Sequence, residues 1–128
     1  MAEGLFRHLV SSKAGRFLVG SAGIHALDGC EASEQAVQVM EREGIDVSSH
    51  RSRRLTAAMV RSADKIFVME NSHKQSILRS WPEASEKVHL LSETEIPDPI
   101  GTSEHFYKNV FCVIRDAIVR IVKEMEAS

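Results

Sequence analysis

The amino-acid sequence predicts an α/β domain in three layers, a parallel sheet with helices on both faces. Two observations carry the prediction. Helical patterns and short apolar runs alternate along the 128 residues, which is the order of elements that parallel sheets require. The runs Phe17-Leu18-Val19, Lys65-Ile66-Phe67-Val68-Met69 and Val88-His89-Leu90-Leu91 are short and largely apolar, as strands covered on both sides are.

The elements follow in order. Met1-Ala2-Glu3-Gly4-Leu5-Phe6-Arg7-His8-Leu9-Val10 reads as helix from its first residue, with Leu5, Phe6, Leu9 and Val10 on one buried face. No Ser, Thr, Asp or Asn precedes Met1 to receive the first backbone N–H groups. In many α/β enzymes the loop ahead of such a helix holds a phosphate. Ser11 to Gly15 reads as a turn, and Phe17-Leu18-Val19 as a buried strand closed by the small residues Gly20-Ser21-Ala22-Gly23. Ser33 caps a helix with Ala36, Val37, Val39 and Met40 on its apolar face, and Gly44 stops it. Thr56 caps a short helix through Val60. The Ile66 strand leads to a helix from Ser72 that ends near Trp81-Pro82. After the Val88 strand, a stripe of Phe106, Val110, Val113, Ile114, Ala117, Ile118, Ile121 and Met125 marks a terminal helix. Roughly 22 residues at ~1.5 Å each make it about 33 Å long. Three strands are visible where a chain of this order normally opens with a fourth, so the first strand is expected to be missing.

One domain spanning residues 1–128 is expected, because the length suits a single core and no repeat, linker or low-complexity tract divides it. Sixteen basic against eighteen acidic residues leave a net charge of −2, which gives no field for nucleic acid or an anionic membrane. Nothing is apolar for long enough to span a bilayer, and no signal peptide is visible. Two cysteines make neither a disulfide framework nor a zinc site, so a reduced, cytoplasmic protein is expected.

Chemistry is concentrated in a few positions. Ile96-Pro97-Asp98-Pro99-Ile100-Gly101 fixes a carboxylate between two prolines, past the end of the third strand. Loops at that end of parallel strands build active sites, and a stiffened Asp suits a general acid. Equally, an Asp there satisfies its own turn. His50 with Arg51, Arg53 and Arg54 is a compact cationic group that either steers an anion or forms an ordinary solvated loop. Ser21, at a strand end, either braces a neighbouring loop or fills a turn. His8, His25, His73, His89 and His105 have no metal-ligand spacing, so neither metal nor cofactor is expected. A phosphate-transferring cysteine needs backbone N–H groups and a nearby arginine to hold its thiolate. Cys30 lies near Asp28 and Glu31 with Ala36 six residues on, and Cys112 lies in an apolar run with Ile118 six residues on. Both read as structural, Cys112 as a small buried hydrophobe.

Taken in order, Met1-Ala2-Glu3-Gly4-Leu5-Phe6, Val19-Gly20-Ser21-Ala22-Gly23, Gly44-Ile45-Asp46-Val47 with His50-Arg51-Ser52-Arg53, Ala63-Asp64-Lys65-Ile66-Phe67-Val68-Met69, and Pro97-Asp98-Pro99 resemble the low-molecular-weight protein tyrosine phosphatase family, in its bacterial branch. The likeness covers essentially the whole chain. It implies the phosphotyrosine-phosphatase-I-like fold and hydrolysis of a phosphorylated protein or small phosphomonoester through a phosphocysteine. In that family a first strand leads into a Cys-x5-Arg loop, whose cysteine attacks phosphorus while the arginine holds the phosphoryl oxygens. Asp98 matches the general acid that protonates the leaving oxygen. Ser21 and His50 match residues that hydrogen-bond the loop and hold its shape.

The resemblance also implies what these residues lack. The strand, nucleophile and arginine precede the position matched by Met1, so a chain beginning there is expected to be truncated and inactive. The alternative expectation is a pseudophosphatase that serves as a binding or regulatory module. The absent strand is central in the family, between the Phe17 and Ile66 strands. Losing it exposes sheet edges through which the chain is expected to re-pair or self-associate. The phosphotyrosine slot is also altered, because Ile100 and Gly101 follow Asp98-Pro99 where many members carry tyrosines, and Leu27 stands near a common tryptophan.

Overall fold

The computed structural model describes residues 1–10, 17–24 and 26–127. The turn expected at Ser11 to Gly15, and His25, lie outside these residues. Five helices and two strands follow in the order α1 Ala2–Leu9, α2 Glu34–Arg42, α3 Ala57–Ser62, β1 Ile66–Val68, α4 Asn71–Ser80, a 3-10 turn Pro82–Ala84, β2 Val88–Leu90 and α5 Glu104–Ala127.

Local chemistry sets most of these bounds. Ser33 Oγ accepts from the Ala36 amide at the start of α2, and Thr56 Oγ1 accepts from the Met59 amide at the start of α3. Past the end of α2, Gly44 adopts φ +77°, a conformation that a side chain would strain. Ser103 Oγ accepts from Phe106 N and starts α5. Helix α1 has no side-chain cap on its first turn.

β1 and β2 pair in parallel, with Ile66 opposite Val88, Phe67 opposite His89 and Val68 opposite Leu90. The crossover between them runs through α4 and the 3-10 turn. Successive side chains of a strand point to opposite faces, and the core divides accordingly. Phe67 packs against the larger cluster, built from α1, α2, α5 and the loops around Ile45, Leu91 and Ile96. Val68, Val88, Ile66 and Leu90 join a second cluster with Val60 of α3, Ile77 of α4 and Ala84. The α/β class and the parallel pairing are as the sequence predicts, but the covering is uneven: α4 and Val60 of α3 close one face, while on the other Phe67 reaches the larger cluster and its neighbour His89 stays exposed.

Three expectations need correction. Phe17-Leu18-Val19 is not a strand. Leu18 is fully exposed, and the Val19 carbonyl accepts from Arg7 Nη2 at 2.7 Å rather than from a ladder. The run has the side chains of a buried strand, but no described strand lies beside it, and strand structure exists only as a pair. Val113 is 42% exposed and Cys112 is also exposed. At ~100° per residue, Tyr107, Val110, Phe111, Ile114, Ala117, Ile118, Ile121 and Val122 fill one arc of α5, and all are buried. Val113 falls beyond the edge of that arc and Cys112 falls roughly opposite its centre.

Helix α1 packs closely because of one glycine. A Cβ on Gly4 would stand 2.7 Å from Val47 Cγ1, so only hydrogen at that position lets the helix lie against the loop that follows α2.

The two sides of α5 differ in their contribution to stability. Ile118→Ala, at a position with no exposed surface, is expected to lose about 2–5 kcal/mol. Val113→Ala is expected to change stability by no more than about 0.5 kcal/mol. Urea unfolding of the two variants measures both.

Candidate functional site

The stretch from Asp46 to Leu55 is shaped by its own hydrogen bonds. The Ser48 amide and hydroxyl both donate to Asp46 Oδ1, at 2.8 and 2.6 Å. These bonds, the hydroxyl's first, hold the Asp46 carboxyl below the usual carboxylate range. The His50 amide donates to the Val47 carbonyl. Arg51 Nη1 donates to the carbonyls of Ser48 and His50. Two of the clustered arginines are thus engaged by the fold. Arg51 ties its own loop and approaches Glu31 at 3.5 Å, while Arg53 Nε donates to the Ser21 carbonyl at 2.9 Å.

This loop is joined to the segment after Val19 along its length. Gly23 N donates to the Arg53 carbonyl and Leu55 N to the Gly23 carbonyl, at 2.9 and 3.0 Å. A second join lies further along, where Ser52 N donates to the Cys30 carbonyl and Cys30 N donates to Ser52 Oγ.

Ser21 and His50 meet on one carboxylate. Ser21 Oγ donates to Glu3 Oε1 at 3.0 Å, and His50 Nδ1 lies 3.3 Å from Glu3 Oε2. With its proton on Nδ1 the imidazole donates to that oxygen. The Glu3 side chain is 15% exposed, and a carboxylate so sheltered needs such donors. Arg7 Nη2, one turn along α1, stands 4.0 Å from the same oxygen. Sequence reasoning named Ser21 and His50 but not Glu3. Its signal was a carboxylate in the first turn of a helix without a cap, where the helix dipole favours negative charge.

Asp98 is set by a separate device. Ile96 is buried, and its amide donates to the Met69 carbonyl just past β1. The exposed Asp98 accepts the Ile100 amide on Oδ1 at 3.0 Å. Thr102 closes the turn by donating from its amide and hydroxyl to the Pro99 carbonyl, and Gly101 supplies φ +78°. The turn reading of Asp98 is therefore realised, and its Oδ2 makes no hydrogen bond with a described residue. No hydrogen bond or ion pair joins Asp98 to Glu3, Ser21 or His50.

Cys30 and Cys112 are both free thiols on exposed residues. Among the described residues no group of three or more His, Cys, Asp or Glu is placed to hold a metal ion. No described helix is long and apolar enough to cross a membrane.

Residues 1–128 match the family described as low molecular weight phosphotyrosine protein phosphatase. The chain is 35% identical over 130 residues to the probable low molecular weight protein-tyrosine-phosphatase EpsP of Ralstonia solanacearum, covering 99% of this chain and 82% of that protein. It is 30% identical over 114 residues to the protein-arginine-phosphatase of Geobacillus stearothermophilus, covering 84% of this chain and 76% of that one. Among solved structures, the low molecular weight protein tyrosine phosphatase of T. tengcongensis superposes with a TM-score of 0.91 at 30% identity, over 96% of this chain and 88% of that chain. The tyrosine phosphatase Wzb of Escherichia coli K30, in complex with sulphate, gives 0.89 at 34% identity over 97% and 87%.

Ser48→Ala removes the hydroxyl that lowers the Asp46 carboxyl. A carboxyl depressed by folding stabilises the fold above its unfolded pKa, and that contribution is lost as pH falls through the folded value. Carboxyl-detected NMR titration is expected to move Asp46 up toward its ordinary range in the variant. The variant should also lose part of the acid-side decline in stability. An Asp46 titration unaltered by the substitution would contradict this account of the loop.

Proposed function

Because the chain belongs to the low molecular weight phosphotyrosine protein phosphatase family, we propose that residues 1–128 carry the proton-donating and loop-bracing groups of a phosphomonoester hydrolysis site. In this reading a cysteine thiolate attacks phosphorus and the bond to the leaving oxygen breaks. Asp98 gives that oxygen its proton. The Asp98 carboxylate then takes a proton from the water that attacks the phosphocysteine, which returns the thiolate and releases phosphate.

The observation that carries the reading is the convergence of Ser21 and His50 on Glu3. The family likeness singles out those two residues as supports for the phosphate loop. Their common partner sits in the first turn of α1, the helix whose N-terminus faces the phosphate in the family. The exposed carboxylate of Asp98 on a turn stiffened by Pro97 and Pro99 supports the second half of the role. Leu27 and Ile100 are exposed aliphatic residues at positions the family likeness places on the substrate rim. A rim of this kind offers an aryl leaving group no ring to stack against.

Within residues 1–128 neither cysteine has an arginine six positions on, since Ala36 follows Cys30 and Ile118 follows Cys112. We infer that these residues by themselves form no phosphocysteine. Incubated with para-nitrophenyl phosphate, the 128-residue chain is expected to give no turnover above the uncatalysed rate. Joining a strand and a Cys-x5-Arg-Ser segment ahead of Met1 is expected to produce turnover, and Asp98→Asn in that chain to lower it about 10²–10⁴-fold. Turnover by residues 1–128 alone that Asp98→Asn abolishes would overturn the inference. A tight binding partner without turnover, before or after the addition, would favour the pseudophosphatase reading.

A further inference from the structure

Arg54 is the member of the arginine cluster that the loop does not use. Its amide donates to Asp28 Oδ1 at 2.8 Å, but its guanidinium makes no hydrogen bond or ion pair with a described residue. It lines an open cavity of about 520 Å³ together with Arg79, whose guanidinium is equally without a described partner. Among the described residues no acidic side chain lines this cavity, although the chain as a whole carries a net charge of −2. Two cations therefore share one concavity with no carboxylate among the described residues that line it. None of Glu3, Ser21, His50 or Asp98 is among its lining residues.

The rest of the lining is apolar or neutral. Ile24, Leu55 and Trp81 are half-buried residues packed on the second core cluster, and Ile77 of that cluster forms part of the wall. Ser76 and Ser80 add two hydroxyls. The volume is within the range that holds a small organic ligand, and the wall is shared about evenly between apolar side chains and the two arginines and two serines. Arginine forks match phosphoryl oxygens two at a time, and an indole offers a face for a flat ring.

From this juxtaposition we propose that the cavity binds an aromatic phosphomonoester, with the phosphoryl group between Arg54 and Arg79 and the ring against Trp81. The ester is either a free small molecule or a phosphotyrosine side chain on a protein, which have the same chemistry. Binding involves no bond cleavage and is independent of turnover at Asp98.

Trp81 is the single tryptophan of the chain, so its emission reports on this cavity alone. Titration of residues 1–128 with phenyl phosphate, and separately with a phosphotyrosyl peptide, is expected to change that emission saturably. Arg54→Gln and Arg79→Gln are each expected to weaken binding about tenfold. Lys108→Gln, which removes a cation outside the cavity, is expected to leave it unchanged. Circular dichroism checks that the variants fold. Amide NMR shifts over residues 76–81 in the unaltered chain give a reading that needs no variant. Saturation by phenyl phosphate assigns the site to a free ester, and saturation by the peptide alone assigns it to a protein side chain. No saturable response to either probe would overturn the proposal. So would affinity indifferent to both arginine substitutions, or inorganic phosphate binding as tightly as the ester.

Discussion

The Glu3 carboxylate is the point on which the arrangement of this protein depends. Its two oxygens hold two side chains that are remote in sequence, Ser21 from the segment after Val19 and His50 from the loop after α2. A hydrogen bond to a charged group contributes about 1.5–3 kcal/mol, a figure discounted here because His50 is about a third exposed. Geometry matters more than magnitude. A single carboxylate in the first turn of α1 fixes where two otherwise irregular segments stand relative to that helix. Gly4, the next residue, lets the helix approach Val47 in the same loop. Close packing and the charged contact therefore act on the same approach.

The other groups are arranged around that contact. Arg53 binds the Ser21 carbonyl and the Gly23 bridge joins its neighbours, so the two segments held by Glu3 are also held to one another. Arg51 and the Asp46–Ser48 turn stiffen the loop that presents His50. Asp98 is set by a different principle, a turn confined by prolines and anchored by buried Ile96. One half of the proposed chemistry thus rests on long-range contacts and the other on local backbone restriction.

That division explains what the sequence revealed. Ser33, Gly44 and Thr56 act on backbone groups within three or four residues, and the helices they bound are legible from spacing alone. The Asp98 turn is legible for the same reason. Phe17-Leu18-Val19 misled because a strand is a property of a pair, and an apolar run does not name its partner. Cys112 misled because the buried arc of α5 is centred on Tyr107, Ile114 and Ile118, which only the packing of the other helices decides. Glu3 was overlooked because its partners lie in other segments, and nothing in its local sequence distinguishes it from an ordinary acidic residue near a helix start.

Coupling between Glu3 and His50 is what the central role of the carboxylate requires. A double-mutant cycle of Glu3→Ala, His50→Ala and the combined variant, read by urea unfolding of residues 1–128 at neutral pH, measures it directly. The contact predicts an interaction energy of about 1 kcal/mol or more, within the range found for residues that touch. Strict additivity, with the double variant losing the sum of the single losses to within about 0.3 kcal/mol, would contradict the central role given to the Glu3 carboxylate.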